Sequence, residues 1–478
     1  MRLSKALILI VFISISVQAQ SISLRDQSNQ YDFVIITVNK FVPICEEFAY
    51  HKNSSRGIKT LVTTRDNILA EFSDSTLVQD NIRQFISYAG TNWSNPTPKY
   101  FMFASDIDSI PNFSFISILG YEPTDTAKSD YFYGINILEE DTTNLSFSIG
   151  RVAVRTQDEL TNYFSKVINY ENNSSVERWN NNSLYLADDG ITSTNPIASS
   201  LFESIATQVS EMVPAYINKK YYYQSDSSEY FGTTDSIVNY VNEYGVSSIY
   251  FSGHGNDTIY THESLFHIDD VDRLTNINSP FFVSFGHSQS YSDINNTSIL
   301  DEMLFSTDGA LLGIAPVGVN YANMNSQINQ SIWGKLYTQV AVGDILRETL
   351  DRSSSKEYRK YNLFGDPTII LNYDVFADVD PYQTNLPKEF ILSQNYPNPF
   401  NPTTKITYSI PSNVLNGLKV NLSVYNILGQ EVAVLVNSVQ NAGNYEVEFN
   451  ASNLSSGAYL YRLSAGAFIQ TSKMILMK

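Results

Sequence analysis

Two histidines stand where this chain could do chemistry. Residues 248–255 read SIYFSGHG, an apolar run that ends with His254 between two glycines. Glycines permit a tight turn that lifts an imidazole above the end of a strand. Residues 280–287 read PFFVSFGH, so a second apolar run ends in His287, 33 positions after His254. A separation of about 30 residues is one βαβ crossover. Two such side chains emerge side by side at the carboxyl edge of a parallel sheet, where open α/β sheets bind ligands. Three readings follow. Ser288 and Ser290 lie within three residues of His287, and a Ser–His pair is a nucleophilic arrangement. His262 and His267, with Glu263, Asp269 and Asp270, fall between the two histidines, so imidazoles could hold Zn²⁺ or a similar ion, although no HExxH-type spacing supports it. The third reading is architectural, with His254 a turn residue bonded to backbone and His262 and His267 solvated in a loop.

The elements around these residues read as α/β. Residues 31–38 (YDFVIITV) form a β-branched run suited to a buried parallel strand. Apolar residues recur at helical spacing over 41–52, Arg56-Gly57 closes that helix, and 58–63 is the next strand. A helix over 78–88 and a strand over 100–104 continue the alternation, which predicts a doubly wound sheet. A second unit begins near Ser183, with strands at 184–187, 216–223, 248–252, 281–285 and 310–315. Helices are predicted at 197–213, 234–244 and 271–276, and most of 328–350 is helical. Cys45 sits on the apolar face of the first helix as a small buried hydrophobe.

Composition excludes several classes. The 478-residue chain carries 30 Lys+Arg against 49 Asp+Glu, a formal charge of −19, which argues against a nucleic-acid partner. One cysteine cannot make an internal disulfide or a cysteine-based zinc site. Arg2 and Lys5 precede the apolar run 6–17, and small residues at Val17 and Ala19 complete a secretory signal peptide over 1–19. That run is too short to span a membrane, and no later stretch is long and apolar enough, so no transmembrane segment is expected after signal removal. Charge is unevenly spread: residues 387–478 hold six basic and four acidic groups, whereas 20–386 hold 22 and 45. The break coincides with a proline-ended, aperiodic linker at 374–386. Short alternating segments at 405–410, 419–425, 445–449, 458–463 and 468–477 then predict a small antiparallel β-sandwich, with the prolines at 397, 399 and 402 laid across it as an extended lead-in.

Two resemblances sharpen this outline. SQNYPNPFNPTT (393–404), VYNILGQEVAVLV (424–436), AGNYEVEF (442–449), SSGAYLYRL (455–463) and the terminal KMILMK resemble the C-terminal sorting domain of type IX secretion cargo. That resemblance implies passage through the periplasm and outer membrane by the type IX machinery, ending secreted or on the outer cell surface. The body, in YDFVIIT, KNSSRG, FMFASDIDSIP (101–111), SDYFYG (129–134), IGRVAVRT (149–156), ELTNYFSKVINYE (159–171), YFSGHG and YNLFGDPTIIL (361–371), resembles the gingipain family of cysteine peptidases, whose catalytic unit is caspase-like. The resemblance implies an N-terminal α/β subdomain over 20–182, a caspase-like subdomain over 183–373 carrying the site, and the sorting sandwich over 387–478.

In that family the histidine of the SGHG motif is the general base, matched by His254. The nucleophile is a cysteine seven residues after a proline, and here that position is His287. Imidazole cannot replace a thiolate without changing leaving-group chemistry and bonding to His254. The implied protein is therefore a degenerate cysteine peptidase that binds a peptide or protein ligand without thiol proteolysis. Altered hydrolysis through His254 with Ser288 or Ser290 is the alternative. Ser288 is one position late, and a one-residue shift off a strand end redirects a side chain. An acid to orient His254 could come from Asp130 or a neighbour. FMFASDIDSIP also carries Ser105 where glycine is usual. The residues point to no particular cofactor; the acidic loops leave room for calcium, but no EF-type run is present. Asp366 of LFGDP is expected to cap a turn before the last strand of the body.

Overall fold

The computed structural model describes residues 22–478 except 117–125, 140–143, 174–177, 191–199, 262–263, 276–280, 286–296, 319–321, 352–355, 372, 374–389, 412–417, 441–442 and 467. The segment read as a signal peptide and the linker at 374–386 lie outside the described residues. The chain divides into two compact units, residues 1–374 and 375–478.

In the first unit ten strands form one sheet. In chain order they are β1 (Phe33–Thr37), β2 (Thr60–Thr64), β3 (Tyr100–Ala104), β4 (Ser148–Val152), β5 (Asn182–Ala187), β6 (Asn218–Tyr223), β7 (Ser248–Ser252), β8 (Phe281–Phe285), β9 (Ala310–Pro316) and β10 (Tyr361–Phe364). Their spatial order is β2-β1-β3-β4-β10-β9-β8-β7-β5-β6. The first five of that order run parallel to one another, and so do the last five. The halves meet at the antiparallel pair β9–β10, with Gly313 opposite Phe364 and Pro316 opposite Tyr361. The two α/β halves thus share a single sheet, and their carboxyl edges point in opposite directions.

Burial explains the strand composition. Phe33, Val34, Ile35 and Ile36 are all fully buried, as a parallel strand covered on both faces requires. Helix Val42–His51 covers one face, with Cys45, Phe48 and Ala49 inward. Helix Val78–Asn92 covers the other through Ile82, Phe85, Ile86 and Ala89. Helix Gln157–Asn172 opens with a reciprocal cap between Thr156 and Glu159, two residues that each satisfy an orphan donor of the other. In the second half the predicted helix at 197–213 is Leu201–Glu211, and that at 234–244 is Thr234–Tyr244. The predicted 271–276 helix is a 3-10 segment at Ile268–Arg273. The 328–350 run is two helices, Ala322–Leu336 and Val342–Asp351.

Asp366 differs from expectation. The last body strand, β10, precedes it, so Asp366 opens the turn that follows. Its Oδ1 accepts from the Thr368 N–H and hydroxyl, both at 2.8 Å, and its Oδ2 lies 2.6 Å from Lys52 Nζ.

The second unit is a sandwich of two antiparallel sheets. One holds Ile391–Leu392, Thr403–Ile410 and Gly443–Asn450; the other holds Glu431–Gln440, Leu418–Asn426, Gly457–Ala465 and Phe468–Leu476. Their inward faces share Ile406, Tyr408, Val420, Leu422, Tyr461 and Leu463. The strand Glu431–Gln440 escapes a period-two reading because its register shifts twice against Leu418–Asn426, and each bulge inverts the alternation. The proline-rich lead-in is strapped to the sandwich by a buried tyrosine: the Tyr461 hydroxyl accepts from the Asn395 N–H at 2.9 Å and donates to Ser393 O at 2.7 Å. Tyr461→Phe leaves both groups unsatisfied, at about 1–3 kcal/mol. The expected result is faster amide exchange at Asn395 in the full chain, with the strand Thr403–Ile410 unchanged.

Candidate functional site

His254 owes its position to two neighbouring strands. β7 ends at Ser252 and β5 at Ala187, and these two residues are level in the sheet. The chain leaves both strands at the same edge, which brings Asp188 against the SGHG turn. Asp188 donates its N–H to Ser252 O at 3.0 Å. Its carboxylate Oδ2 accepts the His254 backbone N–H at 2.8 Å and sits 2.6 Å from His254 Nδ1. Oδ1 accepts the Gly190 N–H at 3.2 Å. A carboxylate only accepts, so Nδ1 carries the proton, and a neutral ring then presents Nε2 as the acceptor. Burial by itself would raise the Asp188 pKa. The hydrogen bonds from the His254 ring, its backbone N–H and the Gly190 N–H outweigh burial and hold the carboxyl below its usual value.

The imidazole is further confined by Phe202 in the first turn of helix Leu201–Glu211, whose ring meets it edge to face at 4.9 Å. Asp188 is fully buried while the His254 side chain is 30% exposed, so the acid is shielded and the base opens to solvent. The turn closes through Thr261 N–H to His254 O at 2.9 Å. Gly253 is required by space: a Cβ there would stand 2.4 Å from Asp188 Cβ. Gly253→Ala must push the carboxylate off the ring. The expected outcome is loss of the downfield Nδ1–H proton resonance, with the fold retained by circular dichroism.

β8 lies beside β7, with Phe285 level with Phe251. His287, Ser288 and Ser290 follow β8 and lie outside the described residues; His262 and Glu263, which precede it, do too. His267 is engaged locally: its Nδ1 accepts the Asp269 N–H at 3.2 Å, and Asp270 accepts the His267 N–H at 2.8 Å. Among the described residues no three His, Cys, Asp or Glu side chains are placed to hold a metal ion.

Asp130 is not the orienting acid. Its carboxylate is paired with Arg151, Oδ2 to Nε at 2.7 Å and Oδ1 to Nη2 at 2.8 Å, and its N–H donates to Asn362. Arg151 belongs to β4, four strands from β7, or about 19 Å at the usual strand spacing. The carboxylate bonded to His254, Asp188, was missed because sequence alone does not reveal that β5 is the neighbour of β7. The available signal was the DDG at 188–190 directly after a predicted strand. Cys45 is fully buried in the first half, where burial foremost pushes its thiol up to about 12; the Thr37 hydroxyl opposes this and the Glu46 charge adds to it.

Solved structures of similar fold include the complex of Porphyromonas gingivalis RgpB pro- and mature domains, 16% identical with a TM-score of 0.57 over 93% of this chain and 100% of that one. The Arg-specific cysteine proteinase gingipain R (RgpB) is 16% identical, with a TM-score of 0.57 over 95% of this chain and 99% of that one. No curated protein matches. Residues 394–477 match the secretion system C-terminal sorting domain, which directs the chain through type IX secretion to the cell surface or exterior. Among the described residues no helix is long and apolar enough to cross a membrane. Residues 26–372 match peptidase family C25, and the chain accordingly belongs to the gingipain family.

Proposed function

We infer that this gingipain-family protein, exported after loss of residues 1–19, binds a peptide or protein ligand at the edge carrying His254 and does not cleave it by thiol chemistry. One observation carries the reading. The chain's one cysteine is sealed in the core of the first half, and its thiol is held protonated, so no thiolate can approach His254. The general-base half of a peptidase site is nevertheless present, with Asp188 fixing the tautomer of His254. By sequence His287 stands at the family's cysteine position, so an imidazole takes the place of the nucleophile.

The test is digestion of a peptide library by the mature protein and by its His287→Cys variant, with alkylation of native protein alongside. The reading requires that the parent leave the library intact, take up no iodoacetamide until unfolded, and retain binding to a subset of peptides. Turnover by the parent that disappears on Ser288→Ala or Ser290→Ala would overturn it in favour of serine-based hydrolysis.

A further inference from the structure

A second buried titratable group lies away from His254 yet is tied to it. Helix Gln157–Asn172 turns Leu160, Tyr163, Phe164, Val167 and Tyr170 inward, and Lys166 falls on the same buried stripe. Its side chain is only 5% exposed. Nζ donates to Leu304 O at 2.8 Å, Ser306 O at 2.5 Å and Met303 O at 3.2 Å. These carbonyls belong to the end of helix Ile299–Phe305 or the residue after it. The last carbonyls of a helix lack intrahelical partners, and the two N–H groups of a neutral amine already suffice to satisfy two of them. A lysine reaching in from the first half of the sheet thus caps the carboxyl end of this helix.

The other end of that helix meets the turn that carries His254. Ser298 and Asp301, both buried, cap it reciprocally. The Ile299 N–H donates to Asp257 O at 2.6 Å, three residues after His254. Arg155, again from the first half, donates Nη1 to Thr297 Oγ1 at 3.2 Å. The helix is a strut, gripped at its carboxyl end by Lys166 and abutting the SGHG turn at its amino end.

The geometry points to Lys166 as a positioning residue: its amine holds the carboxyl end of helix Ile299–Phe305 and, through that helix, the turn that carries His254. This holds whether or not residue 287 can act in catalysis, because the test reads protection and not turnover.

The grip is proton-linked. Burial pushes Lys166 down to about 7, with the charge of Asp308, in the turn after the helix, acting the other way. Of the remaining carboxylates at this helix, Glu302 is raised first by burial and further by the charges of Asp272, Glu159 and Asp301 around it. The sign of the linkage follows. Any opening that brings Lys166 into water restores an ordinary lysine near 10.4, so above pH 7 opening takes up a proton. Protection of the strut therefore rises with pH, by up to about tenfold per unit between pH 7 and 9.

Hydrogen exchange in the full chain, corrected for intrinsic rates, checks this at two reporters. The Ile299 amide bonds Asp257 O and the Thr261 amide bonds His254 O. Both should gain protection together from pH 7 to 9 in the parent. In Lys166→Met, which keeps length but cannot titrate, both should be less protected at pH 9 by tenfold or more and flat with pH. Lys166→Arg, charged throughout and still a donor, should restore protection in part without the pH slope. A Thr261 amide that is pH-independent in the parent overturns the proposal even if the methionine variant fails to fold. So does a Thr261 amide unmoved in a folded Lys166→Met protein.

Discussion

Peptide hydrolysis is expected to appear in the His287→Cys variant and to vanish again when Asp188→Asn is added. A cysteine nucleophile supplies most of the rate enhancement in such sites, so the gain over the parent should be on the order of 10³ or more. The second substitution is the sharper test. Asp188 Oδ2 takes both the ring Nδ1–H and the backbone N–H of His254, so it fixes tautomer and orientation at once. An amide in its place can donate to Nδ1, which moves the ring proton to Nε2 and abolishes the base. Loss of about 10²–10⁴ in kcat with KM little changed is the expected signature. A His287→Cys protein that alkylates readily yet never turns over would show that the edge beside His254 is not a latent peptidase site. Asp130→Asn in the same background should leave kcat nearly unchanged in whatever fraction folds, since Asp130 serves Arg151.

The largest stability effect is expected at Lys52. Its Nζ is fully buried 2.6 Å from Glu171 Oε1 and 2.6 Å from Asp366 Oδ2, with the Thr368 hydroxyl at 3.0 Å. Glu171 also accepts from His51 at 2.9 Å. This cluster joins the end of the first helix, helix Gln157–Asn172 and the FGDPT turn after β10. Lys52→Met leaves two carboxylates buried against one another and should cost about 3–5 kcal/mol, read by urea denaturation of the body. The double variant Lys52→Met/Asp366→Asn should recover part of that loss. By contrast Lys405–Glu446, also 2.6 Å apart but with both side chains more than half exposed, contributes little, because water screens it and two long side chains must be ordered. A Lys52→Met variant no less stable than a Lys405→Met variant would refute the assignment of Lys52 as the keystone of that junction.

Much of the architecture was legible because it rests on local periodicity. The strands at 248–252 and 281–285 and the helix at 234–244 fall where their patterns put them, since buried parallel strands and amphipathic helices write their burial into adjacent residues. Where local pattern was broken the reading failed. The double bulge in Glu431–Gln440 hid a strand. The run at 328–350 hid a break between two helices, near Gln339 with its positive φ of 58°.

Sequence alone marks which side chains could react: His254 between glycines, His287 seven residues after a proline, and one cysteine in the first helix. It also determined that the chain is exported cargo with a sorting sandwich. Packing chose their partners. Strand order made β5 the neighbour of β7 and so chose Asp188 over Asp130, and the antiparallel junction at β9–β10 turned the two carboxyl edges apart. The same packing set Lys166 against the last carbonyls of a helix 137 residues further along the chain. Such pairings depend on which elements lie side by side, and residues 66 or 137 positions apart carry no local signal of that.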